Sequence, residues 1–411
     1  MAEEDIAVTK FREYIRIDTE HPNPDYEKCK DFLLDLAGEI SIPAKAVYTD
    51  ATHPFVIMTI PGSKPDLPSV MLYSHTDVVP TFKEHWTYDP YSAHKDEEGN
   101  IYGRGTQDMK CVGSQYFEAI RRHFLRGKKQ WTRTIHIVWG PDEEVGGPMG
   151  MAAFRFTEDF KALNIGFVLD EGLATEETTY KVYYAERCPW WVRITCEGNP
   201  GHGSKFIENT AGEKLQSVIN SALAFREEQK KIMIENDLTL GDVTTLNLTV
   251  INGGVQVNVL PEQLSCCFDI RVPPTVDYEE FDAQIASWCQ KAGPDVSYEF
   301  LQTSRPTEQK TVDFKNENKN ITSTSLDDPW FAAFDAALKQ EACEYSTEIF
   351  TGATDSRFIR ELGYRSIGFS PMINTPSLLH DHNEFLNEKV YLRGVEIYET
   401  LIEKLAEVQV N

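Results

Sequence analysis

The sequence predicts an α/β fold with a mostly parallel sheet, interrupted by a smaller α+β domain. Three observations support this prediction. Short apolar strand patterns alternate with helical patterns in the first part of the chain, the pattern changes near Cys188, and the alternation resumes toward the C-terminus. With 411 residues the chain is also too long for one compact core, so we expect two domains.

The first part of the chain contains the elements of the parallel sheet. Apolar residues at helical spacing predict helices over "DIAVTKFREYIRI", "YEKCKDFLLDLAGEI" and "MKCVGSQYFEAIRRHFLRG". Short apolar runs predict buried strands over "PFVIMTI", "SVMLYS", "TIHIVW" and "IGFVLD". Strands that alternate with helices favour a mostly parallel sheet.

The middle of the chain predicts an antiparallel sheet with two helices. The strand patterns are "PWWVRITCEG", "VTTLNLTVING", "QVNVLPEQLSCCFDIRV" and "DVSYEFLQ", and the helical ones are "AGEKLQSVINSALAFREEQKK" and "YEEFDAQIASWCQKA". A polar stretch, "TSRPTEQKTVDFKNENKNITSTSLDD", follows them. We therefore expect a first domain over residues 1–187 and 308–411, and an inserted domain over residues 188–307.

Charge and composition exclude several classes of partner. The net charge of −25 argues against nucleic acid and against anionic membranes, and no apolar run approaches the ~20 residues that span a bilayer. The acidic N-terminal segment has no signal-peptide pattern. The eight cysteines lack ligand-like spacing, so we expect buried, reduced thiols in a cytoplasmic protein.

Three of the predicted strands are followed by residues that can bind a metal. Carboxyl ends of parallel strands meet at one edge of a sheet, where ligands bind. Asp108 lies in a Gly-rich turn before a helix and can join them. The residues that follow the strands are His75 and Asp77 after "SVMLYS", Asp142, Glu143 and Glu144 after "TIHIVW", and Glu171 after "IGFVLD".

This set of nitrogen and oxygen ligands, without thiolate, favours zinc, with cobalt or manganese as substitutes. Two ions at roughly 3.5–4 Å need a bridging carboxylate, for which Asp108 is the natural candidate. Adjacent residues of an extended segment point in different directions, so we expect Glu144 to bind metal and Glu143 to face the water between the ions. A single strand-end glutamate is more often simply solvated. We interpret His136 as a core histidine, and His85 and His123 as surface residues.

Seven motifs carry a family resemblance: "SHTDVVP", "GRGTQDMK", "PDEEVGG", "LDEG", "NPGHGSKF", "NVLP" and "LLHDHNE". Their order and spacing over nearly the whole chain resemble the M20 metallopeptidase family. The resemblance implies a di-zinc catalytic domain interrupted by a lid domain that forms a homodimer. It implies that His75 and Glu171 hold one zinc, that Glu144 and His380 hold the other, and that Asp108 bridges them. It also implies that Asp77 orients His75 and that Glu143 is the general base.

Two assignments within the motifs have alternatives. In "HDHNE" the His-x-x-x-Glu pattern of the family selects His380, with His382 as a neighbour. His202, in "GHGS", is implied to stabilise the oxyanion from the partner subunit, although by itself it reads as a hairpin turn. Gly203 follows it where the family commonly has Ala or Ser, which can loosen this loop.

The resemblance also implies residues that bind substrate. Arg357, in "TGATDSRF", is expected to bind a free carboxylate, since a guanidinium suits bidentate contact. Asn258, in "NVLP", is expected to donate a hydrogen bond near the reacting carbonyl. Arg271, in "FDIR", is a further candidate that can instead pair with Asp269.

The activity implied is hydrolysis of N-acyl-L-amino acids, a small-molecule substrate, to a carboxylate and a free L-amino acid. A hydroxide held between two zinc ions would attack, with Glu143 as general base and acid. One alternative is a dipeptidase or carboxypeptidase of the same family. A remote alternative is a catalytically silent, metal-stabilised binding dimer. Such a protein would be expected to lack the general base or a metal ligand, whereas all seven catalytic positions are filled in this sequence.

Overall fold

The computed structural model describes residues 4–303 and 320–409. They form two compact units, the first from residues 4–184, 320–347 and 354–409, and the second from residues 185–303 and 348–353. The expected domain boundary at 307/308 lies outside the described residues, as does most of the polar stretch before Leu326.

The described residues contain seventeen strands and ten α-helices. The strands are β1 Ala44–Tyr48, β2 Pro54–Ile60, β3 Ser69–His75, β4 His94–Lys95, β5 Asn100–Tyr102, β6 Ile135–Gly140, β7 Ile165–Asp170, β8 Tyr180–Glu186, β9 Cys188–Glu197, β10 Gly201–His202, β11 Thr245–Gly253, β12 Val259–Leu260, β13 Gln263–Val272, β14 Val296–Thr303, β15 Tyr345–Phe350, β16 Arg365–Phe369 and β17 Phe385–Asn387. The helices are α1 Ile6–Ile15, α2 Tyr26–Glu39, α3 Lys110–Leu125, α4 Met151–Phe154, α5 Glu158–Lys161, α6 Ala211–Glu235, α7 Tyr278–Ala292, α8 Pro329–Gln340, α9 Ser356–Glu361 and α10 Glu388–Ala406.

The first unit is built around an eight-stranded sheet in the order β1-β2-β6-β3-β7-β16-β8-β15. The central strands β6, β3, β7 and β16 are parallel, whereas β1, β2 and β8 pair antiparallel with their neighbours. The α/β class with a mostly parallel sheet is therefore confirmed.

Both faces of this sheet are covered at its centre, which explains why the strands β3, β6 and β7 are largely apolar and buried throughout. On β3, Val70 and Leu72 belong to one buried cluster, together with side chains of α1, α3, α8 and α10. Met71 and Tyr73, on the opposite face, belong to a second cluster with α4 and α9. Successive residues of a strand point to opposite faces, so a strand that is covered on both sides lacks polar alternation.

A small sheet in the order β17-β5-β4 belongs to the same unit. It pairs β17 with β5, from Phe385 opposite Tyr102 to Asn387 opposite Asn100. The pairing holds two loops together, because residues 103–108 follow β5 and residues 380–384 precede β17.

The second unit contains the predicted antiparallel sheet, in the order β11-β13-β9-β14, packed against α6 and α7. One expectation for this unit is wrong, because "QVNVLPEQLSCCFDIRV" is not one strand. It divides into β12 and β13 on either side of Pro261, which has no N–H to donate to a strand ladder. The short strand β12 pairs instead with β10.

Among the described residues, none of the helices combines the length and the apolar character that a bilayer crossing requires.

Candidate metal centre

The carboxyl ends of β6, β3 and β7 lie side by side, as expected from the sequence. His75 is the last residue of β3 and pairs in parallel register with Gly140, the last residue of β6. On its other side β3 pairs with β7, which ends at Asp170, directly before Glu171. These three strand ends therefore bring a histidine and several carboxylates to one edge of the sheet.

His75 is buried, with its two ring nitrogens in different environments. Nδ1 lies 3.0 Å from the backbone carbonyl of Asp77, which can only accept a hydrogen bond, so Nδ1 carries the proton of the neutral ring. Nε2 lies 2.9 Å from Asp108 Oδ1 and 3.6 Å from Glu171 Oε2. The lone pair of Nε2 therefore faces two carboxylates, an arrangement that suits a cation between them.

The two oxygens of Asp108 face two different histidines. Oδ1 faces His75, and Oδ2 lies 3.3 Å from Nε2 of His380, which is also 3.1 Å from Glu144 Oε2. His382, the alternative in the same motif, instead contacts the ring of His85, with 4.9 Å between ring centroids.

Glu384 fixes the loop that carries Asp108. Its carboxylate is fully buried, pairs with Arg104 at 2.8 Å and accepts the backbone N–H of Gln107 at 2.6 Å. The N–H of Asp108 lies 3.4 Å from the same carboxylate. The His-x-x-x-Glu pattern pointed to Glu384, but its role as the anchor of this loop was not predicted.

The segment "PDEEVGG" is not extended, so the expected reason for the divergence of Glu143 and Glu144 is wrong. Residues Glu143–Val145 form a 3-10 turn that begins after Asp142, whose φ is +75°. Successive residues of a 3-10 helix are about 120° apart, so adjacent side chains still diverge. Glu143 lies within 4.8 Å of His75 and Glu171, whereas Glu144 groups with His75 and Asp108.

Asp77 holds this turn rather than the His75 ring. Its carboxylate Oδ1 is 3.7 Å from His75 Nδ1, too far for a hydrogen bond, and the backbone carbonyl makes that contact. The carboxylate instead accepts the backbone N–H groups of Glu143 and Glu144, at 3.2 and 3.0 Å. It also pairs with Nε2 of His21 at 2.8 Å. No motif or spacing in the sequence indicates this role of His21.

The buried carboxylates around His75 and His380 repel one another. Burial, and then the charge of Asp108, raises the pKa of Glu144 to about 7 and that of Glu171 well above its ordinary value. Burial, and then the charge of Glu171, does the same for the pKa of Glu143. The hydrogen bonds of His380 to Asp108 and Glu144 raise its pKa to about 10. The two histidines alone therefore do not neutralise this group.

The donor set fits a divalent metal. Two groups of side chains, one of His75, Glu143 and Glu171 and the other of His75, Asp108 and Glu144, each bring their ligand atoms within 4.8 Å of one another. Oε1 of Glu144 is buried and has no hydrogen-bond partner among the described residues. Buried carboxylates and imidazole nitrogens in this arrangement are typical of zinc and related ions.

The family model of "Peptidase family M20/M25/M40" matches residues 71–404. The chain belongs to this family. Among curated M20 relatives, aminoacylase-1 of Sus scrofa is 49% identical over 402 residues, with 98% of this chain and 96% of that one covered. Aminoacylase-1 of Homo sapiens is 47% identical, with 99% and 97% covered, and that of Dictyostelium discoideum is 48% identical, with 98% of each covered.

Solved M20 structures share the fold at low sequence identity. An M20 family metallo-carboxypeptidase from Sulfolobus solfataricus has a TM-score of 0.70 at 15% identity, with 98% of this chain and 100% of that one covered. Human carnosine dipeptidase 1 has a TM-score of 0.65 at 14% identity, with 98% and 97% covered.

In the second unit of this M20 protein, His202 and Asn258 are neighbours. His202 pairs with Val259 between β10 and β12, and the N–H of Gly203 donates to the carbonyl of Asn258 at 2.9 Å. The expectation that Gly203 loosens the loop stays a prediction, although this bond ties its backbone to Asn258.

The environment of His202 defines its neutral tautomer. The backbone N–H of Ser204 donates to Nδ1 at 3.2 Å, and the Ser204 hydroxyl lies 2.8 Å from the same nitrogen. A backbone N–H can only donate, so Nδ1 accepts and Nε2 carries the proton. The exposed ring therefore presents an Nε2–H donor.

The two candidate arginines differ in their partners. Arg271 makes a bidentate ion pair with Asp269, at 2.9 and 3.1 Å, which is the alternative that its sequence left open. Arg357, in the first unit, donates from Nη2 to the carbonyl of Gly146 at 3.0 Å. Its guanidinium thus lies against the residue that follows the Glu143–Val145 turn.

Proposed function

We propose that this protein is an aminoacylase, which hydrolyses N-acyl-L-amino acids to a carboxylate and a free L-amino acid. The observation that carries the proposal is 46–49% identity to aminoacylase-1 proteins over 98–99% of the chain. The reaction is metal-dependent, in keeping with the M20 family and the cluster around His75.

We propose two zinc ions per subunit, with cobalt or manganese as substitutes. His75 and Glu171 would hold one ion, Glu144 and His380 the other, and Asp108 both. The separate histidines that face the two Asp108 oxygens support this division. When bound, such ions polarise a substrate carbonyl and lower the pKa of water.

Glu143 is the proposed general base and acid. Its carboxylate would accept a proton from the attacking water and donate it to the nitrogen of the leaving amino acid. Glu143 is buried, and its carboxylate lies within 4.8 Å of the ligand atoms of His75 and Glu171, next to the proposed metal site.

His202 is the proposed donor to the oxyanion that forms on the acyl carbon. Because Nδ1 accepts hydrogen bonds from Ser204, the proton of the neutral ring is on Nε2, and this Nε2–H is a suitable donor. We propose that this histidine comes from the partner subunit of a homodimer formed through the inserted domain. We also propose a cytoplasmic location. The eight cysteines have no ligand-like spacing, which favours reduced thiols in this compartment.

Arg357 is the proposed partner of the substrate carboxylate, because its guanidinium lies beside the Glu143 turn. Asn258 would donate a hydrogen bond near the reacting carbonyl, next to His202. Arg271 is the weaker candidate, because Asp269 already takes up two of its N–H groups.

The experiment that tests this function measures release of methionine from N-acetyl-L-methionine and from a Met-containing dipeptide by the zinc-loaded protein. Fast release from the acetyl compound alone supports an aminoacylase. Preference for the dipeptide would identify a peptidase, with the same metal chemistry and a site that accepts an α-ammonium group. Hydrolysis of neither compound would favour the binding dimer.

A further inference from the structure

The carboxylate of Asp77 is buried and accepts hydrogen bonds from three donors. Oδ1 accepts the N–H of Glu143, and Oδ2 accepts the N–H of Glu144 and faces Nε2 of His21 at 2.8 Å. A buried carboxylate is costly unless such donors compensate it. His21 is the only side chain among these donors, since the other two are backbone amides of the 3-10 turn.

The position of His21 is fixed by hydrogen bonds of its own backbone N–H and of Thr19. The N–H of His21 donates to the carbonyl of Val78 at 3.1 Å, and the N–H of Val78 donates to the carbonyl of Thr19 at 3.0 Å. The Thr19 hydroxyl donates to the carbonyl of Thr76 at 2.6 Å. Residues 19–21 therefore lie alongside residues 76–78, and the His21 ring is held next to Asp77.

Glu20 strengthens the same contact. Its carboxylate accepts the N–H of Thr81 at 3.1 Å and the Thr81 hydroxyl at 2.8 Å. The hydroxyl of Tyr91 donates to it as well, at 2.8 Å. A mobile surface histidine would lack such a set of contacts around its backbone.

The segment continues to Tyr26, which contacts the turn directly. The hydroxyl of Tyr26 accepts the N–H of Asp142 at 2.9 Å. Three consecutive backbone N–H groups, of residues 142 to 144, thus end on the side chains of Tyr26 and Asp77. The first N–H groups of a helical turn have no partner within it, so these side chains determine where the turn lies.

We propose that His21 is a positioning residue for hydrolysis: through Asp77 it fixes the turn that places Glu143 and Glu144. The inference rests on the proposed function, in which these residues are the general base and a metal ligand. His21 acts at a distance from the reacting atoms, because its contact within the site is with Asp77. A displacement of about 1 Å in a catalytic group can cost about 10²-fold in rate.

The test compares His21→Gln with His21→Met, two side chains of nearly equal length and shape. Gln retains an N–H donor for Asp77, whereas Met has none. His94→Leu is the control, since it removes a histidine of the same unit whose ring stacks on Tyr88. The measurements are kcat and KM on N-acetyl-L-methionine, the affinity for Zn²⁺ in competition with a chromophoric chelator, and Tm.

For His21→Met we expect kcat to fall about 10- to 100-fold with KM unchanged, and the affinity for Zn²⁺ to fall about 10-fold or more. His21→Gln should restore both quantities to near the wild-type values, and His94→Leu should leave both unchanged. Equal losses in the Gln and Met variants would overturn the proposal. So would a His21→Met protein that differs from wild type only in Tm.

Two further outcomes are decisive. If the wild-type protein hydrolyses neither N-acetyl-L-methionine nor the Met-containing dipeptide, the proposed function fails. The affinities for Zn²⁺ of the Gln and Met variants then still decide the role of His21. If His21→Met does not fold, His21→Asn replaces it, because the amide nitrogen of Asn takes the place of Nδ1 rather than of Nε2, the atom that faces Asp77. The proposal then predicts a several-fold lower kcat for His21→Asn than for His21→Gln at unchanged KM, and equal kcat values of the two variants contradict it.

Discussion

Arg104 and Glu384 form a buried ion pair, with 2.8 Å between Nη1 and Oε2 and side chains that are 2% and 0% exposed. Glu384 also accepts the N–H of Gln107, one residue before the carboxylate that lies between His75 and His380. The pair therefore connects the loop after β5 with the segment before β17, and each of these segments contributes one residue to the proposed metal centre.

Glu384→Ala should lower the free energy of unfolding by about 3–5 kcal/mol, because it removes the carboxylate that compensates the buried charge of Arg104. Chemical denaturation of the metal-free protein measures this loss. Lys161→Ala is the control: it breaks an exposed pair with Glu158 and should cost at most about 1 kcal/mol. Equal effects of the two substitutions would contradict the role of the pair.

Arg357→Ala should raise KM for N-acetyl-L-methionine about 10- to 100-fold with little change in kcat, because hydrogen bonds to a charged group contribute about 1.5–3 kcal/mol. N-acetyl-L-methionine amide is the matched control, since it has no carboxylate for Arg357 to bind. Initial rates on both compounds measure the effect. A similar loss on the amide would show that Arg357 supports the turn at Gly146 rather than the substrate.

His202→Ala should form the proposed homodimer and be nearly inactive, because it removes the proposed donor to the oxyanion. Mixed with Glu143→Ala subunits under conditions of exchange, it should recover activity that neither variant has alone. Such recovery requires a site that combines residues of two subunits. No recovery in verified mixed dimers would place His202 and Glu143 in the same subunit's site, and inactivity caused only by monomerisation would remove the oxyanion role.

The burial of His136 should make the stability of the protein depend on pH, by an effect separate from the proposed metal centre. Burial lowers the pKa of His136 to about 4, while its unfolded value is near 6.5. The unfolded chain therefore binds this proton first as the pH falls, so stability present above pH ~6.5 is lost toward pH ~4, by up to about 3 kcal/mol. His136→Gln should have a flatter profile over this range in equilibrium denaturation, and superimposable profiles would refute the prediction.

The strand ends that carry site residues could be predicted because local sequence patterns are enough to locate these strands. Continuous apolar runs identify strands covered on both faces, and parallel strands place His75 and Glu171 at the same edge. The conformation of the Glu143 turn could not be predicted in this way. Asp142 adopts a positive φ, and its backbone N–H donates to Tyr26 while its carboxylate accepts the N–H of Met149. No sequence periodicity indicates this conformation.

The role of His21 was missed for a related reason. It lies 56 residues from Asp77, and their contact depends on the path of the loop between α1 and α2. The adjacent "HPNPDY" segment, with two prolines and a tyrosine, is the local signal that this loop has a fixed shape. The partners of Asp77 and Arg271 likewise depend on side-chain geometry beyond the sequence pattern.

The most direct test of the account measures metal content and turnover of Glu143→Ala in the same preparation. If Glu143 transfers protons and the other side chains hold the metal, the variant should retain as much zinc as wild type. Its kcat on N-acetyl-L-methionine should fall by about 10²–10⁴-fold or more. An unchanged kcat with full metal content would contradict the assignment of Glu143, and lost metal would make Glu143 a ligand rather than a base.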